Sequence, residues 1–128
     1  MAATKGYTGW ALDPEQRKIF LTLFPPSYER VIAHHCTAEF GVTSDHPLPT
    51  ADHGEVVGVA DDGQGVQALV LSIGGTTERP DGSTWHITWS LAPGRKPVES
   101  NQVIRTMGWE PTKPITIKLR PQFFPMGS

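Results

Sequence analysis

Short segments of alternating apolar and polar residues recur along this chain, separated by stretches that contain glycine and proline. A period of two is typical of a β-strand that buries one face, because successive side chains point to opposite sides. The pattern predicts strands at residues 6–12, 32–40, 55–60, 66–73, 85–91 and 115–119. Residues 61–65 carry a hairpin signal, and loops are predicted at 41–53 and 74–83.

Two other segments have the spacing of amphipathic helices. In the first, Asp13 is predicted to be the N-cap, with Pro14 at the first helical position and Gln16 in the capping-box position. The helix is expected to stop at Pro25. Its predicted apolar face consists of Ile19, Phe20, Leu23 and Phe24.

The second helix is predicted to begin at Ser100, as its N-cap, and to bury Val103, Ile104 and Met107. The predicted order is strand, helix, strand, hairpin, strand, helix, strand. Two similar halves, each with one helix, predict an α+β fold in which sheet and helices pack as layers. The length of 128 residues fits a single domain over residues 1–128.

The composition and the net charge argue against several classes of function. The net charge of −2 and the isoelectric point near 6.2 give no sign of a basic surface that would bind duplex DNA. One cysteine excludes an internal disulfide and fits a reducing compartment. The first ten residues have no signal-peptide core, and the apolar run at 68–73 is too short to span a bilayer. We therefore expect a monomeric cytoplasmic protein that does not contact a membrane.

Two predicted strands carry the same three-residue pattern, His35-Cys36-Thr37 and His86-Ile87-Thr88. Residues i and i+2 of a strand share a face, so each strand presents its histidine and its threonine together. Glu39 and Ser90 are expected to lie on these same two faces. The opposite faces are predicted to be buried, and they consist of Cys36, Ala38 and Phe40 in the first strand and of Trp85, Ile87, Trp89 and Leu91 in the second.

This combination of residue types suits the cleavage of a phosphodiester. The reaction needs a base for the attacking oxygen, an acid for the leaving oxygen, and donors for the charge that develops on the phosphoryl oxygens. Two imidazoles, with an ordinary pKa of about 6.5, can divide the acid and base roles near neutral pH. Two threonine hydroxyls can donate to the phosphoryl oxygens, and no metal or other cofactor is expected. The sequence leaves open which histidine is the acid.

At these residues the chain resembles the 2H phosphoesterase superfamily, which is defined by two His-h-Thr/Ser motifs in which h is hydrophobic. The superfamily includes LigT-like RNA 2′,3′-cyclic phosphodiesterases, the cyclic phosphodiesterase domains of tRNA ligases, 2′-5′ oligoadenylate phosphodiesterases and phage enzymes that degrade cyclic-nucleotide immune signals. The chain departs from the pattern in having Cys36 at a hydrophobic position, and it is shorter than many LigT-like members.

The resemblance implies a two-lobed, pseudo-symmetric fold with lobes of about 1–53 and 54–128, antiparallel sheets around a central cleft, and helices packed outside. Its substrate would be a nucleotide or short RNA with a 2′,3′-cyclic phosphate, a cyclic oligonucleotide, or a 2′-5′ linkage. The resemblance assigns catalysis to His35 and His86, and phosphate binding to Thr37 and Thr88.

Four other residues are candidate substrate contacts. Tyr7 and Trp109 offer aromatic rings on which a base could stack, and Arg95 and Lys96 could reach a phosphate from the rim of the cleft. Core packing is the competing interpretation for the aromatic rings, and simple solvent exposure is the competing interpretation for the cations.

The remaining histidines and the cysteine are expected to have structural positions. His34 is predicted to face the core, Cys36 is predicted to be buried, and His46 and His53 are predicted to lie on a surface loop. Two other functions stay open: a non-catalytic module that binds a cyclic or phosphorylated nucleotide, and metal-dependent hydrolysis at the loop histidines. The intact pair of motif histidines favours catalysis, since a binding module needs no pair of proton-transfer groups.

Overall fold

A single antiparallel sheet of eight strands forms most of the protein in the computed structural model, which describes residues 4–126. The strands are β1 (Lys5–Ala11), β2 (Arg30–Val31), β3 (His35–Thr43), β4 (His53–Asp61), β5 (Val66–Ser72), β6 (His86–Leu91), β7 (Glu110–Lys118) and β8 (Arg120–Pro125). The helices are α1 (Pro14–Leu23) and α2 (Glu99–Met107). The sheet order is β7-β4-β5-β6-β3-β1-β8, with β2 paired to β6 beside this path.

The prediction of an α+β fold is confirmed, with a curled half-barrel sheet and two helices. One continuous sheet is found where two were expected, and the division into lobes at residues 53 and 54 stays a prediction. Within residues 4–126 neither helix has the length and apolar character needed to cross a membrane. The single-domain prediction extends over residues 1–3 and 127–128, which lie outside the described residues.

The two helices pack on opposite faces of the sheet. On one face, α1 inserts Phe20 into a core that includes Trp10, Trp85 and Trp89. On the other face, α2 packs against a smaller core that consists of Ala60, Val66, Ala68, Val70, Leu91, Val103 and Ile104. Because Val70 pairs with His86 across β5 and β6, this second face is the one that carries the second motif. Helix α2 therefore lies beside the motif residues.

Helix α1 begins as predicted, and half of its predicted apolar face is exposed. Asp13 is the N-cap, and its Oδ1 accepts a hydrogen bond from the Gln16 backbone N–H at 2.9 Å. The Gln16 side chain does not complete a capping box, because its Oε1 accepts from the Lys118 backbone N–H instead. Phe20 is buried, whereas Ile19 and Leu23 are each 50% exposed, since the helix contacts the sheet along a narrow strip.

Helix α2 does not begin as predicted. Ser100 lies inside the helix instead of capping it, and the N-cap position is Val98, which has no side-chain hydrogen bond. The Ser100 hydroxyl is buried 2.8 Å from Thr88 Oγ1, so it contacts strand β6 and does not cap the helix. Met107 is exposed at the end of the helix, whereas Val103 and Ile104 are buried as predicted.

The C-terminal strand β8 was not predicted, because the last predicted strand was 115–119, which ends before Pro121. In the structure β8 pairs with β1 at the edge of the sheet, and Pro121 lies opposite Trp10. An edge strand tolerates proline, since a residue whose N–H would face solvent loses no sheet hydrogen bond. The strand brings residues 120–125 beside 5–11, so both ends of the described chain contribute to the same part of the sheet.

A β-bulge in β6 moves two residues away from their predicted positions. The pairing with β5 skips Trp89, which shifts the alternation of the following residues. Leu91 therefore joins the core beneath α2, and Ser90 is buried, with its Oγ 2.5 Å from Gln67 Oε1. The predicted assignment of β6 residues to the two faces of the sheet is therefore correct from His86 to Trp89 and wrong for Ser90 and Leu91.

Strand β3 begins later than predicted, at His35 instead of residue 32. Ala33 has a φ of 44°, in the left-handed region that interrupts an extended strand, and its side chain is fully buried. Strands β3 and β1 pair antiparallel and approach each other very closely at Gly9. A Cβ atom at this position would lie 2.2 Å from the carbonyl oxygen of Cys36. The close approach of β1 to the first motif requires glycine at this position.

We expect Gly9→Ala to lower the free energy of unfolding by about 2 to 4 kcal/mol, because the new methyl group overlaps backbone atoms that cannot move independently. Thr116→Ala, on the exposed edge strand β7, is the control, with a change of at most about 1 kcal/mol. Urea unfolding followed by tryptophan fluorescence measures both. Equal urea midpoints for the two variants would show that β1 and β3 are less closely packed than described.

Candidate active site

The two His-x-Thr motifs meet across the sheet. Strands β3 and β6 pair antiparallel through Cys36 and Ile87, the central residues of the motifs, and both of these side chains are fully buried. Neighbours of a buried strand residue point to the opposite face, so all four motif histidines and threonines share the other face. An antiparallel pair has a local twofold axis, and here it relates His35 to His86 and Thr37 to Thr88. The structure therefore brings the four predicted site residues together.

A cavity of about 440 Å³ opens over this paired segment. Its floor is formed by the four motif residues, and its walls come from three other parts of the chain. Strand β1 and the far end of β3 form one wall, the 74–83 loop forms a second, and the start of α2 forms a third. Besides the motif residues, the cavity is lined by Tyr7, Ile32, Phe40, Arg79, Pro97, Val98 and Asn101.

Phe40 lines this cavity, although alternation along β3 places it in the core. The pairing of β3 with β1 skips Ala38 and Gly41, so two bulges lie in this strand. The first bulge shifts the alternation, and Phe40 returns to the face of His35 and Thr37 with 67% of its surface exposed. A sequence pattern with a period of two does not show where such an extra residue falls.

Tyr7 lies in the cavity wall, but both faces of its ring are already covered. Its ring stacks on Phe40 at a centroid distance of 5.6 Å and on Phe124 at 4.9 Å. The three rings form an aromatic row across β3, β1 and β8. Since Phe40 is the exposed end of this row, it offers the free stacking surface, and Tyr7 supports it.

One nitrogen of His86 is occupied by the backbone. Its Nδ1 lies 2.8 Å from the carbonyl oxygen of Thr84, so Nδ1 carries a proton and donates it to that oxygen. The other nitrogen, Nε2, is then left for the cavity. Burial lowers the pKa of His86, the Thr84 carbonyl raises it, and the nearby Arg79 guanidinium lowers it. The net shift is downward, so His86 is neutral at neutral pH.

The His35 ring contacts the ring of His34, with 3.0 Å between their Nδ1 atoms. One of these two nitrogens must donate and the other accept, so this contact fixes both rings while at least one is neutral. Burial, together with the neighbouring His34 and His86, lowers the pKa of His35 to about 4. The prediction that His34 faces the core is wrong: Ala33 turns the backbone, and His34 precedes β3 as an exposed residue.

The two motif threonines differ in what their hydroxyls contact. Thr88 Oγ1 lies 2.8 Å from Ser100 Oγ and 3.2 Å from the Pro97 carbonyl oxygen, and the residue is 8% exposed. Thr37 is more open, and within residues 4–126 its hydroxyl has no hydrogen bond to another group. Thr37 is therefore the freer donor for a bound oxygen, since Thr88 must give up an existing bond to donate.

Arg79 is a cavity residue that the sequence does not reveal. It belongs to the 74–83 loop, and its Nη1 donates to the Thr37 carbonyl oxygen at 3.2 Å. A salt bridge of 2.9 Å to Asp81 holds the guanidinium, whose side chain is only 12% exposed. The guanidinium and the Ser83 side chain hold the pKa of Asp81 far below its usual range. A single arginine in a polar loop carries no spacing signal that would have identified it.

Three of the four additional predicted contacts lie elsewhere. Arg95 forms salt bridges with Asp62 and with Glu99, and it donates to the Gln64 carbonyl oxygen, away from the cavity. The backbone N–H of Lys96 donates to Glu99, and the residue does not line the cavity. Trp109 packs over Gly58 in β4, two strands away from β6, and does not line the cavity. Only Tyr7 is brought to the motifs.

The three other candidates, Cys36, His46 and His53, do not line the cavity. Cys36 is fully buried, and burial raises the pKa of its thiol to about 12, as expected for a core cysteine. His46 pairs with Glu39 at 2.6 Å, and His53 with Asp52 at 2.8 Å. In the part of the chain that the structure describes, no three side chains of histidine, cysteine, aspartate or glutamate converge as metal ligands.

Comparison with known proteins identifies no relative. A scan against protein-family models gave no match, and searches of curated proteins and of solved structures gave none either. Membership of the 2H phosphoesterase superfamily therefore stays a prediction, which is based on the two motifs.

Protonation of His35 is expected to destabilise the fold. The folded pKa of about 4 lies below the unfolded value of about 6.5, so between these pH values the unfolded chain binds more protons. The free energy of unfolding should therefore fall as the pH falls from 6.5 to 4. In His35→Gln this fall should be smaller by roughly 2 kcal/mol.

Urea unfolding at pH 7 and pH 4.5 measures this dependence. His53→Gln, at a histidine outside the cavity whose side chain is 68% exposed, is the control and should stay close to the wild type, because an exposed ion pair contributes little. Identical pH dependences of the wild type and His35→Gln would refute a buried, neutral His35.

Proposed function

We propose that this protein is a metal-independent phosphodiesterase of the 2H type, acting on a nucleotide or short RNA. The observation that carries the proposal is the convergence of His35, His86, Thr37 and Thr88 on one cavity, through the pairing of their central residues. Two imidazoles related by a local twofold axis can approach one phosphate from opposite sides. That is the arrangement required by a reaction in which one group takes a proton and another gives one.

In the proposed reaction with a 2′,3′-cyclic phosphate, His35 is the base. Its low pKa leaves it neutral at pH 7, and if its Nδ1 donates to His34, then Nε2 carries the free lone pair. Water attacks the phosphorus while His35 takes its proton. The bond from phosphorus to one ribose oxygen breaks, and the product is a phosphate monoester.

His86 is the proposed acid that protonates the departing ribose oxygen. The Thr84 carbonyl accepts from Nδ1 and favours the charged imidazolium, while Nε2 is left to hold the transferable proton. A bound phosphate adds a negative charge beside the ring and raises its pKa from the lowered value of the empty cavity. The acid therefore forms when substrate binds, although His86 is neutral in the empty cavity.

Arg79 and Thr37 are the proposed donors to the non-bridging phosphoryl oxygens. Arg79 brings a positive charge into a mostly buried position, where a charge-assisted hydrogen bond to phosphate is strong. Thr37 lies in the cavity floor beside Arg79, since the Arg79 guanidinium donates to its carbonyl oxygen, and its hydroxyl has no hydrogen bond among the described residues. Thr88 contributes through Ser100 and Pro97 mainly by fixing the start of α2, which closes the cavity.

Substitution of either histidine tests the proposal. His35→Ala and His86→Ala should each lower kcat by about 10² to 10⁴, and Arg79→Gln should lower kcat/KM by about 10², because each removes a group that acts on the reacting phosphate. His53→Ala, at an exposed histidine, is the control. The substrates are 2′,3′-cyclic mononucleotides, cyclic dinucleotides and trinucleotides and 2′-5′ oligoadenylates, separated by chromatography with EDTA present.

Three results would contradict the assignment. Near-wild-type activity of both alanine variants on a cleaved substrate would remove the histidines from the reaction. Activity that EDTA abolishes would favour a metal-dependent hydrolase. Nucleotide that binds but is recovered unaltered after long incubation would favour the non-catalytic binding module, which would use the same cavity.

The exposed ring of Phe40 is proposed to stack on the base of the substrate. Base stacking on an aromatic side chain contributes about 1 to 3 kcal/mol, so Phe40→Ala should raise KM by roughly 10-fold and change kcat little. Leu48→Ala, at another exposed apolar residue, is the control and should leave KM unchanged. If Phe40→Ala instead lowered kcat alone, the ring would act on the reacting groups and not on the base.

A further inference from the structure

A second cavity adjoins the candidate active site and shares a wall with it. Its volume is about 440 Å³, equal to that of the first cavity, and Arg79 and Asn101 line both. The two cavities therefore meet where the 79–84 segment faces α2. The second cavity is further lined by Asp81, Gly82, Ser83, Thr84, Ile104 and Arg105.

Two polar side chains of this second cavity lack partners among residues 4–126. Arg105 is exposed and forms no salt bridge there, whereas Arg79 on the opposite wall is paired with Asp81. Asn101 Oδ1 is buried and has no hydrogen-bond partner. A buried acceptor without a partner is uncommon in native proteins, and because Asn101 lines the cavity, a rotation of its amide would offer this oxygen to a donor of a bound ligand. An unpaired cation and an unpaired acceptor together fit a ligand with an anionic group and a donor.

We propose that the second cavity binds the adjacent nucleotide of an oligonucleotide, with its phosphate on Arg105 and an N–H or O–H of its base or ribose on Asn101. The proposal rests on the proposed function in one respect, that the reacting phosphate lies between His35 and His86. A nucleic acid strand carries one phosphate per nucleotide, so the next phosphate follows directly along the strand. Arg79 lines both cavities and is therefore available to both phosphates.

Ligand binding, measured without turnover, tests the second cavity. The two probes are thymidine 3′-phosphate and the deoxydinucleotide d(TpTp), neither of which has a 2′-hydroxyl, and calorimetry gives each Kd. The dinucleotide is expected to bind the wild type about tenfold more tightly, the effect of one charge-assisted hydrogen bond. Arg105→Gln should abolish this advantage, and Arg105→Lys should keep most of it because the charge remains.

Lys18→Gln is the matched control, since it also removes one exposed cation from a helix, but from α1 on the opposite face of the sheet. The Lys18→Gln variant should keep the tenfold advantage of the dinucleotide. That result would show that the loss in Arg105→Gln comes from a local contact and not from the change in net charge. Equal binding of the two probes by the wild type, or an advantage that survives in Arg105→Gln, would overturn the second-cavity proposal.

The outcome is separable from that of the proposed reaction. If the protein cleaves no phosphodiester but shows a dinucleotide advantage that depends on Arg105, the reaction fails and the second cavity stands. If it hydrolyses a 2′,3′-cyclic mononucleotide and shows no dinucleotide advantage, the reaction stands and the second cavity fails. Recovery of both probes intact, checked by chromatography, confirms that binding alone was measured.

Discussion

The pairing of Cys36 with Ile87 is the contact on which the candidate active site depends. Both side chains are fully buried in the core that also contains Trp10, Trp85 and Trp89, so the core fixes the distance between the two motif strands. Protein interiors are densely packed, and a shift of either strand would open a cavity at considerable cost in stability. The positions of both histidines are therefore set by apolar packing beneath the sheet.

The sequence was sufficient for the parts of the fold that follow simple alternation or strong turn signals. The β4–β5 hairpin, the existence of β6 and the start of α1 at Asp13 were all predicted. A period of two predicted that each motif histidine shares a face with its threonine, and the resemblance to the 2H superfamily implied that the two pairs form one site. The exact pairing of the motifs depends on register between distant segments, and a single sequence does not contain that information.

The errors arise where one residue changes the alternation or where a side chain acts across a long distance. Bulges at Ala38 and Trp89 reverse the faces of the residues that follow them, which moves Phe40 into the cavity and Leu91 into the core under α2. Arg79 reaches Thr37 from a loop 42 positions away, so no local pattern marks it. Tertiary contacts decide these positions, and local propensity does not.

The burial that positions the histidines also determines their charge. Burial lowers the pKa of both rings, so the empty cavity holds two neutral imidazoles, and Arg79 is the one formally charged residue among the described residues that line it. A phosphate that enters this cavity meets a single cation, and its negative charge then favours protonation of an imidazole beside it. In the proposed reaction the substrate therefore creates the general acid that cleaves it, and a neutral ligand of the same shape would leave both histidines as bases.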